Sequence, residues 1–422
     1  MLSIKIPNIF GNVSKTGFFS PSVFLFNFAY CIYLFVMLLN SSFFAVYISR
    51  AMLKATIALV LLLLISSVLF NMKFTVKSVL MLGITGLLLM IIFLRMMTHF
   101  EYLPIFLLLF CGRNIKPEKI AEITVFVSIV VLLLVVISAQ AGIIQNYVSR
   151  DYVTGELRIR HYLGFRYALQ APAILFNIIS MDLYLNRHKL SIYRLLFWGI
   201  SSYLMYRFTD SRLSCFFSLA VIVGFFIINR FPGLFEQLKI TKVIMVGSFI
   251  ICSIISFTLI YKFDPSVRWM RELNVTLESR LKLGNDGFHD YKLKLFGQNI
   301  NFIGNGLNNN GEKSVKVYNY IDCFYENILL KYGIIFFVIV IVGFTIASYI
   351  SMKRKDYYLL WLMTLLALHA MIDDLVLLLN YNTLWFFIMP MILKPVYDKM
   401  LTPMINILII KRKRKLRFKL TS

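Results

Sequence analysis

The strongest constraint on this chain is a series of long apolar runs that follow one another through most of its length. These runs lie at about 24–48, 52–70, 78–98, 101–112, 120–139, 167–185, 192–208, 213–229, 243–261, 326–350, 357–379 and 382–397. About 20 apolar residues suffice to cross a bilayer as a helix, and continuous apolarity favours helices over the alternating strands of a membrane barrel. The runs therefore predict an all-α, polytopic integral membrane protein of about 12 transmembrane helices. One membrane domain would cover residues 1–422.

Composition and charge narrow the class further. Hydrophobic residues make up 59% of the chain and charged residues only 15%, whereas a soluble domain has about a quarter charged residues. The net charge is +24, and in a polytopic membrane protein an excess of Lys and Arg first indicates orientation. An amino terminus in the cytoplasm places most of the basic short loops and the basic tail 398–422 in the cytoplasm. We expect that tail to lie on anionic lipid rather than to bind nucleic acid.

Two predicted external loops, 140–166 and 262–325, are longer than ordinary connections, so we expect them to carry function. Arginines that the positive-inside rule would normally exclude occupy predicted external positions; they include Arg158, Arg160, Arg166, Arg212 and Arg280. Because a guanidinium binds phosphate or carboxylate with two parallel hydrogen bonds, these residues indicate an anionic ligand. The alternative is that they form salt bridges with nearby carboxylates such as Asp151, Glu156, Asp264, Glu272 and Glu278.

Two short acidic segments each allow two interpretations. Asp210-Ser211-Arg212 lies in a very short external turn, where it either caps helix ends or places a guanidinium at the rim of an intramembrane cavity. Asp373-Asp374 either faces a water-filled cavity, as in an ion-coupled transporter, or lies near the lipid headgroups. We favour the second interpretation, with Tyr381 and Trp385 as interfacial anchors.

The sequence lacks the spacings of several other kinds of site. Its five histidines form no pair with metal-ligand spacing, so we expect no metal and no cofactor. The stretch from Gly306 to Ser314 resembles a phosphate-binding loop, but Glu312 separates its second glycine from Lys313. A nucleotide site requires the lysine directly after that glycine, so we interpret the stretch as a flexible hinge or lid.

Several short motifs occur in a recognisable order over roughly residues 150–340. They are Leu163-Gly164-Phe165, Asp210-Ser211-Arg212, Glu278-Ser279-Arg280-Leu281, Leu295-Phe296-Gly297, Asp322 to Tyr325, and Lys331-Tyr332-Gly333-Ile334-Ile335. With the long external loop, they make the chain resemble the bacterial polysaccharide repeat-unit polymerases of the Wzy type, which are related to O-antigen ligases. The resemblance implies a metal-independent membrane glycosyltransferase of the GT-C class in the bacterial cytoplasmic (inner) membrane, with both termini cytoplasmic.

The resemblance also implies a reaction and partners. The donor would be a growing glycan on undecaprenyl pyrophosphate, and the acceptor the non-reducing hydroxyl of one lipid-linked repeat unit. The product would serve O-antigen, capsule or exopolysaccharide biosynthesis. Expected partners are these lipid-linked oligosaccharides, the lipid bilayer, a chain-length regulator and a flippase, but no nucleic acid.

The resemblance also implies catalytic and binding roles for individual residues of the predicted external segments. Arg212 and Arg280 would stabilise the charge on the departing pyrophosphate, supported by Arg158, Arg160, Arg166 and Asp210. His289 is the first candidate for a general base, because its ordinary pKa lies near neutrality, and Asp322 is the carboxylate alternative. A solvated loop histidine remains an alternative interpretation of His289. Tyr291 and Tyr325 would stack on sugars or hydrogen-bond them.

Three competing functions fit a polytopic membrane chain. An O-antigen ligase would transfer finished polymer to a lipid core or protein. A flippase for lipid-linked oligosaccharides would line a central cavity between two similar halves, which the long loop argues against. A secondary transporter would use Asp373-Asp374.

Overall fold

The computed structural model describes residues 21–71, 83, 86–87, 90–91, 103–113, 115–153 and 156–391. Three predicted features therefore lie wholly or largely outside the described residues. They are the amino-terminal segment 1–20, most of the span 78–98 and the basic tail 398–422.

Helices dominate the described chain. The helices are α1 Pro21–Asn40, α2 Arg50–Asn71, α3 Leu103–Gly112, α4 Pro117–Gln140, α5 Gln170–Leu185, α6 Ile192–Thr209, α7 Arg212–Arg230, α8 Pro232–Gln237, α9 Lys239–Val246, α10 Ser248–Tyr261, α11 Arg268–Thr276, α12 Arg280–Asp290, α13 Phe324–Tyr332, α14 Ile334–Lys353 and α15 Tyr357–His369. Single 3-10 turns cover Phe43–Val46 and Leu375–Leu377.

Five of the described helices are long and apolar enough to cross a membrane, namely α1, α2, α4, α7 and α14. A sixth candidate is the pair α9 and α10, which bends by 65° at Gly247. These helices are compatible with a multi-pass membrane protein. Other apolar runs form shorter helices, such as the 16 residues of α5 and the 13 of α15. The expected total of about 12 spans and the GT-C class stay predictions.

The loop 140–166 contains regular structure that was not predicted. This loop folds into an antiparallel hairpin of β1 Val148–Val153 and β2 Glu156–His161. Because side chains alternate between the two faces of a strand, β2 separates its charged residues from its apolar ones. Arg158 and Arg160 point to one face, with side chains 14% and 18% exposed. Leu157 and Ile159 are exposed on the other face.

The predicted run 326–350 is broken by a second unexpected contact. Gly333 separates α13 from α14 and has φ +92°, a conformation that favours glycine. The segment around Gly297 docks against this break, where Ile335 N donates a 3.2 Å hydrogen bond to Leu295 O. A Cβ on Gly333 would overlap Gly297 N. Two of the motifs quoted above are thus in direct backbone contact.

The buried residues form one large cluster that extends from Phe26 to Met391, with a smaller cluster around Leu360. Close helix packing contributes to it, as where α15 crosses α7. There Trp361 Nε1 donates to Ala220 O at 3.0 Å, and a Cβ on Gly224 would overlap the indole nitrogen. Leu281, Ile300, Leu307 and Ile321 of the long loop 262–325 belong to the large cluster, so this loop shares the core of the helices.

The expectation that Tyr381 and Trp385 anchor the Asp373-Asp374 segment among the lipid headgroups is wrong. Asp373 is 9% exposed and lies 3.5 Å from His369 Nε2. The two expected interfacial anchors, Tyr381 and Trp385, are each only 6% exposed. Side chains enclosed by the protein cannot contact lipid headgroups, so Asp373, Tyr381 and Trp385 belong to the protein interior.

Candidate functional site

The first part of the candidate site joins the β-hairpin to the turn between α6 and α7. The Arg158 Nε donates to the Asp210 carboxylate, and Nη2 donates to the Asp210 carbonyl at 3.2 Å. Asp210 adopts a left-handed conformation with φ +47°, because only two residues connect Thr209 to Arg212. A short polar residue such as Asp tolerates that conformation better than most. The expected tight turn thus presents its carboxylate to the hairpin.

Glu278 is the centre of the arginine cluster. Its Oε1 lies 2.7 Å from Arg158 Nη1 and 3.7 Å from Arg160 Nη2, and its Oε2 lies 3.9 Å from Arg280 Nη1. Burial raises the pKa of the Glu278 carboxyl, but the ion pair with Arg158 more than offsets this and leaves that pKa below its ordinary value. Glu278 and Ser279 both have positive φ, 52° and 68°, which bends the chain between α11 and α12. We call Arg158, Arg160, Arg280 and Glu278 the arginine cluster.

Asp322 lies directly beside the arginine cluster. Its Oδ2 is 3.2 Å from Arg280 Nε, and it accepts a 3.3 Å hydrogen bond from the Tyr318 hydroxyl. Both charged side chains are mostly covered, at 15% exposed for Arg280 and 17% for Asp322. Burial raises the pKa of Asp322 to about 6, although Arg280 acts in the opposite direction. A carboxyl group with that pKa can accept a proton near neutral pH.

A polar interior continues behind Asp322. The Tyr320 hydroxyl donates a hydrogen bond to the Asp374 carboxylate, and Asn327 Nδ2 lies 3.4 Å from the same oxygen. Tyr167 lies close enough to Asp322 for that charge to act on its hydroxyl. Tyrosines beside carboxylates are suited to hydrogen-bond and stack on sugars.

Arg160 and Arg280 both have unused hydrogen-bonding capacity, because the buried Nε atom of each has no hydrogen-bond partner among the described residues. Arg160 is the less firmly paired of the two, because its contact with Glu278 is a long 3.7 Å, whereas Arg280 Nε lies 3.2 Å from Asp322. Burial, and then the neighbouring Arg158, lower the pKa of Arg160. A guanidinium in this position gains from an additional anionic oxygen.

Two other predicted arginines lie at the edges of this arrangement. The Arg212 side chain is 77% exposed and approaches Asp210 at 3.7 Å. Arg166 donates to Asn309 Oδ1 at 2.9 Å and to Asn40 O at 2.5 Å. It therefore ties the large loop to the end of α1. The structure brings Arg158, Arg160, Arg280, Asp210 and Asp322 together, with Arg212 at the rim and Arg166 in a separate contact.

His289 and the two predicted sugar-contacting tyrosines lie apart from Asp322. His289 is exposed in the last turn of α12, nine residues after Arg280 and hence about 14 Å along the helix axis. Tyr291 is half-buried, with its ring 6.1 Å from that of Phe302. Tyr325 is fully buried and donates to Ala367 O at 2.8 Å. Its ring is enclosed in the core, which leaves no face for the sugar contact expected of it.

Sequence reasoning missed two contributors to the site. Glu278 entered as a salt-bridge alternative and as part of the motif Glu278-Ser279-Arg280-Leu281 but was given no role in the site, yet it contacts three arginines. Tyr318 was not singled out, although it hydrogen-bonds Asp322. Tyr318 could have been found from the segment Tyr318-Asn319-Tyr320-Ile321-Asp322, in which tyrosines and polar residues precede an apolar run.

Within the described part of the chain, no three His, Cys, Asp or Glu side chains are grouped as metal ligands would be. Comparisons of the chain with protein-family models, curated proteins and solved structures find no match.

Proposed function

We propose that this protein polymerises lipid-linked oligosaccharide repeat units in the bacterial cytoplasmic membrane. It would transfer the growing glycan from undecaprenyl pyrophosphate to a new lipid-linked repeat unit, as a metal-independent glycosyltransferase. The observation that carries this proposal is the arginine cluster, in which Arg158, Arg160 and Arg280 converge beside Asp322. Such a cluster, in a protein whose long apolar helices suit a bilayer, fits a diphosphate attached to a lipid.

The proposed reaction is a displacement at the anomeric carbon. The acceptor hydroxyl oxygen forms a bond to that carbon, while the bond from the carbon to the phosphate oxygen breaks. The electron pair of the broken bond leaves with the polyprenyl pyrophosphate. Asp322 accepts the proton of the acceptor hydroxyl, with Tyr318 holding the carboxylate in place through its hydrogen bond.

The arginines stabilise the negative charge that develops on the departing pyrophosphate. Arg160 offers an unused donor, and Arg280 links the anion-binding side to Asp322 through its 3.2 Å contact. Fixed cations in a water-poor site stabilise developing charge without reorganising during the reaction. The salt-bridge alternative is partly realised, since Arg158 contacts both Asp210 and Glu278. We therefore assign Arg158 mainly to positioning the hairpin.

The decisive experiment supplies the purified protein, in lipid nanodiscs, with one defined undecaprenyl-pyrophosphate-linked repeat unit. A polymerase yields a ladder of glycan lengths without any gradient. Arg160→Ala should reduce the rate by about 10²- to 10³-fold, the usual effect of removing one charge-stabilising donor. Arg268→Ala is the matched control, because Arg268 is 85% exposed and pairs with Glu272 on the surface.

Other outcomes contradict the proposal in distinct ways. A ladder of normal rate from Arg160→Ala would remove the arginine cluster from the mechanism. Transfer of preformed polymer to a lipid-core acceptor, with no ladder, would indicate a ligase. Translocation of the lipid-linked unit without any new glycosidic bond would indicate a flippase.

A further inference from the structure

Glu326 is a buried carboxyl group that the proposed reaction does not use. It lies in the first turn of α13 and is 0% exposed. Neither of its carboxyl oxygens has a hydrogen-bond partner among the described residues. An isolated buried carboxylate is so unfavourable that the group is kept in its neutral, protonated form instead.

The surface that covers Glu326 is the glycine face of α12. A Cβ on Gly284 would overlap Glu326 Oε2, and a Cβ on Gly287 would lie 3.0 Å from Oε1. Residues three apart in a helix share one face, so these two glycines make room for the carboxyl group. Any larger residue at either position would push α12 away from α13.

The surroundings of Glu326 offer no counter-charge. From α10, Ile260 packs at the same place, and from the preceding segment Ile321 does so. The residue just before α13 is Cys323, and its thiol is a titratable neighbour of the Glu326 carboxyl group. The charged residues of α12 after its first turn, Asp286 and His289 among them, are exposed to solvent. Burial raises the pKa of Glu326 to about 8.

Helix α12, which packs against Glu326 through Gly284 and Gly287, also carries Arg280 of the arginine cluster. Arg280 is the first residue of α12, and its Nε lies 3.2 Å from Asp322. Asp322 and Glu326 are four residues apart in the chain, on the segment that leads into and begins α13. Helix α12 is therefore held at two points, a neutral contact at Gly284 and Gly287 and an ion pair at Arg280.

We propose that protonated Glu326 is a positioning residue, which seats the glycine face of α12 and so holds Arg280 against Asp322. Loss of this proton places a charge in a dry contact and unseats α12. Arg280 then moves away from Asp322, and the site loses its arrangement. The effect on catalysis rests on the proposed function, whereas the proton-dependent seating of α12 does not.

Hydrogen exchange of the α12 amides tests the seating in the full-length protein in nanodiscs. Exchange is measured between pH 6.5 and 9.5 and corrected for intrinsic rates. In the wild type, protection of residues 280–290 should fall by about tenfold for each pH unit up to about pH 8, where both the seated and the unseated form become ionised, and should level off above that pH. Glu326→Gln, which keeps the shape and cannot ionise, should show no such fall. Asp286→Asn, on the exposed side of the same helix, should behave as the wild type does.

Two further variants separate positioning from simple packing. Gly284→Ala should lower α12 protection at every pH, because its Cβ overlaps Glu326. Cys323→Ser should keep the wild-type pH response. Wild-type protection that does not change with pH, or a fall that persists in Glu326→Gln, overturns the proposal. If Glu326→Gln does not fold, the wild-type profile alone decides.

Turnover of the lipid-linked repeat unit supplies the second readout. The wild-type kcat should fall on the alkaline side near pH 8, and Glu326→Gln should remove that fall without changing the acidic side. If the wild type forms no polymer at any pH, the proposed function fails. The exchange experiment still decides whether Glu326 seats α12.

Discussion

The charged side chains of this site differ widely in how much of each is exposed to solvent, and that difference indicates which of them can act in the reaction. Arg212 and Arg280 carry the same group, yet 77% of one side chain is exposed and only 15% of the other. The general base shows the same contrast. His289 is exposed, whereas Asp322 is covered and its pKa is raised by burial to about 6. A sequence places both residues in one loop but does not show which one is enclosed.

The two candidate bases can be distinguished by the pH dependence of the reaction. Asp322 must be ionised to accept a proton, so the rate should rise as pH increases through about 6 and then level off until the alkaline fall near pH 8 begins. Asp322→Asn should lose at least about 10²-fold in rate and also lose this acidic limb. His289→Ala should keep both. The measurement is kcat/KM for ladder formation from pH 4.5 to 8.

The opposite behaviour of these two variants would identify His289 as the general base. If His289→Ala removes the limb and Asp322→Asn keeps it, the base is His289 and α12 must rearrange when substrate binds. Tyr318→Phe serves as a milder test of the assignment, because it deletes only the hydroxyl that donates to Asp322.

At the level of elements, backbone contacts between distant segments shape the site. The β-hairpin places two arginines on one face, and the segment around Gly297 ends α13 by docking at Gly333. Gly297 has φ +78°, and a Cβ there would overlap Lys331 O. Gly306, in the same loop, has no atom within 4 Å of its Cβ position.

We expect the substitution of glycine by alanine to have a large effect on the free energy of unfolding at Gly297 and a small effect at Gly306. Gly297→Ala should destabilise the protein by about 2 kcal/mol or more, since left-handed strain adds to the overlap with the backbone. Gly306→Ala should change the free energy of unfolding by less than about 0.5 kcal/mol. Thermal unfolding in detergent compares the two. Equal midpoints would mean that the loop does not dock at Gly333.

For the whole molecule, the proposed function depends on the orientation of the chain in the membrane. The proposed reaction requires the loop 262–325 to lie on the external side of the membrane. Val315 is fully exposed in this loop, and Lys189 is exposed in the turn between α5 and α6. The native cysteines are buried or half-buried, so introduced cysteines can be labelled against a low background.

An impermeant thiol reagent measures this sidedness in intact cells. Val315→Cys should react before permeabilisation, and Lys189→Cys only afterwards. Labelling in the reverse order would place the arginine cluster in the cytosol. The proposed function would then be excluded, because its acceptor lies on the other side.

Local composition was enough to predict the long apolar helices and the short turn at Asp210. Each depends on residues close together in the chain. The break at Gly333 was not predicted, because it results from docking by residues 35 or more positions earlier. The burial of Asp373 and Tyr325 was also missed, since apolar runs do not show which side of a helix faces the protein.

Hydrophobicity and charge are properties of each residue, so the order of amino acids is enough to show that this chain forms long apolar helices and carries arginines in its connecting segments. The folded chain is needed to show that Arg158, Arg160 and Arg280 meet at Glu278, that Asp322 is the covered acid beside them, and that Glu326 lies unpaired against Gly284. These relations depend on which surfaces pack together, and packing is set by long-range contacts that no local pattern contains.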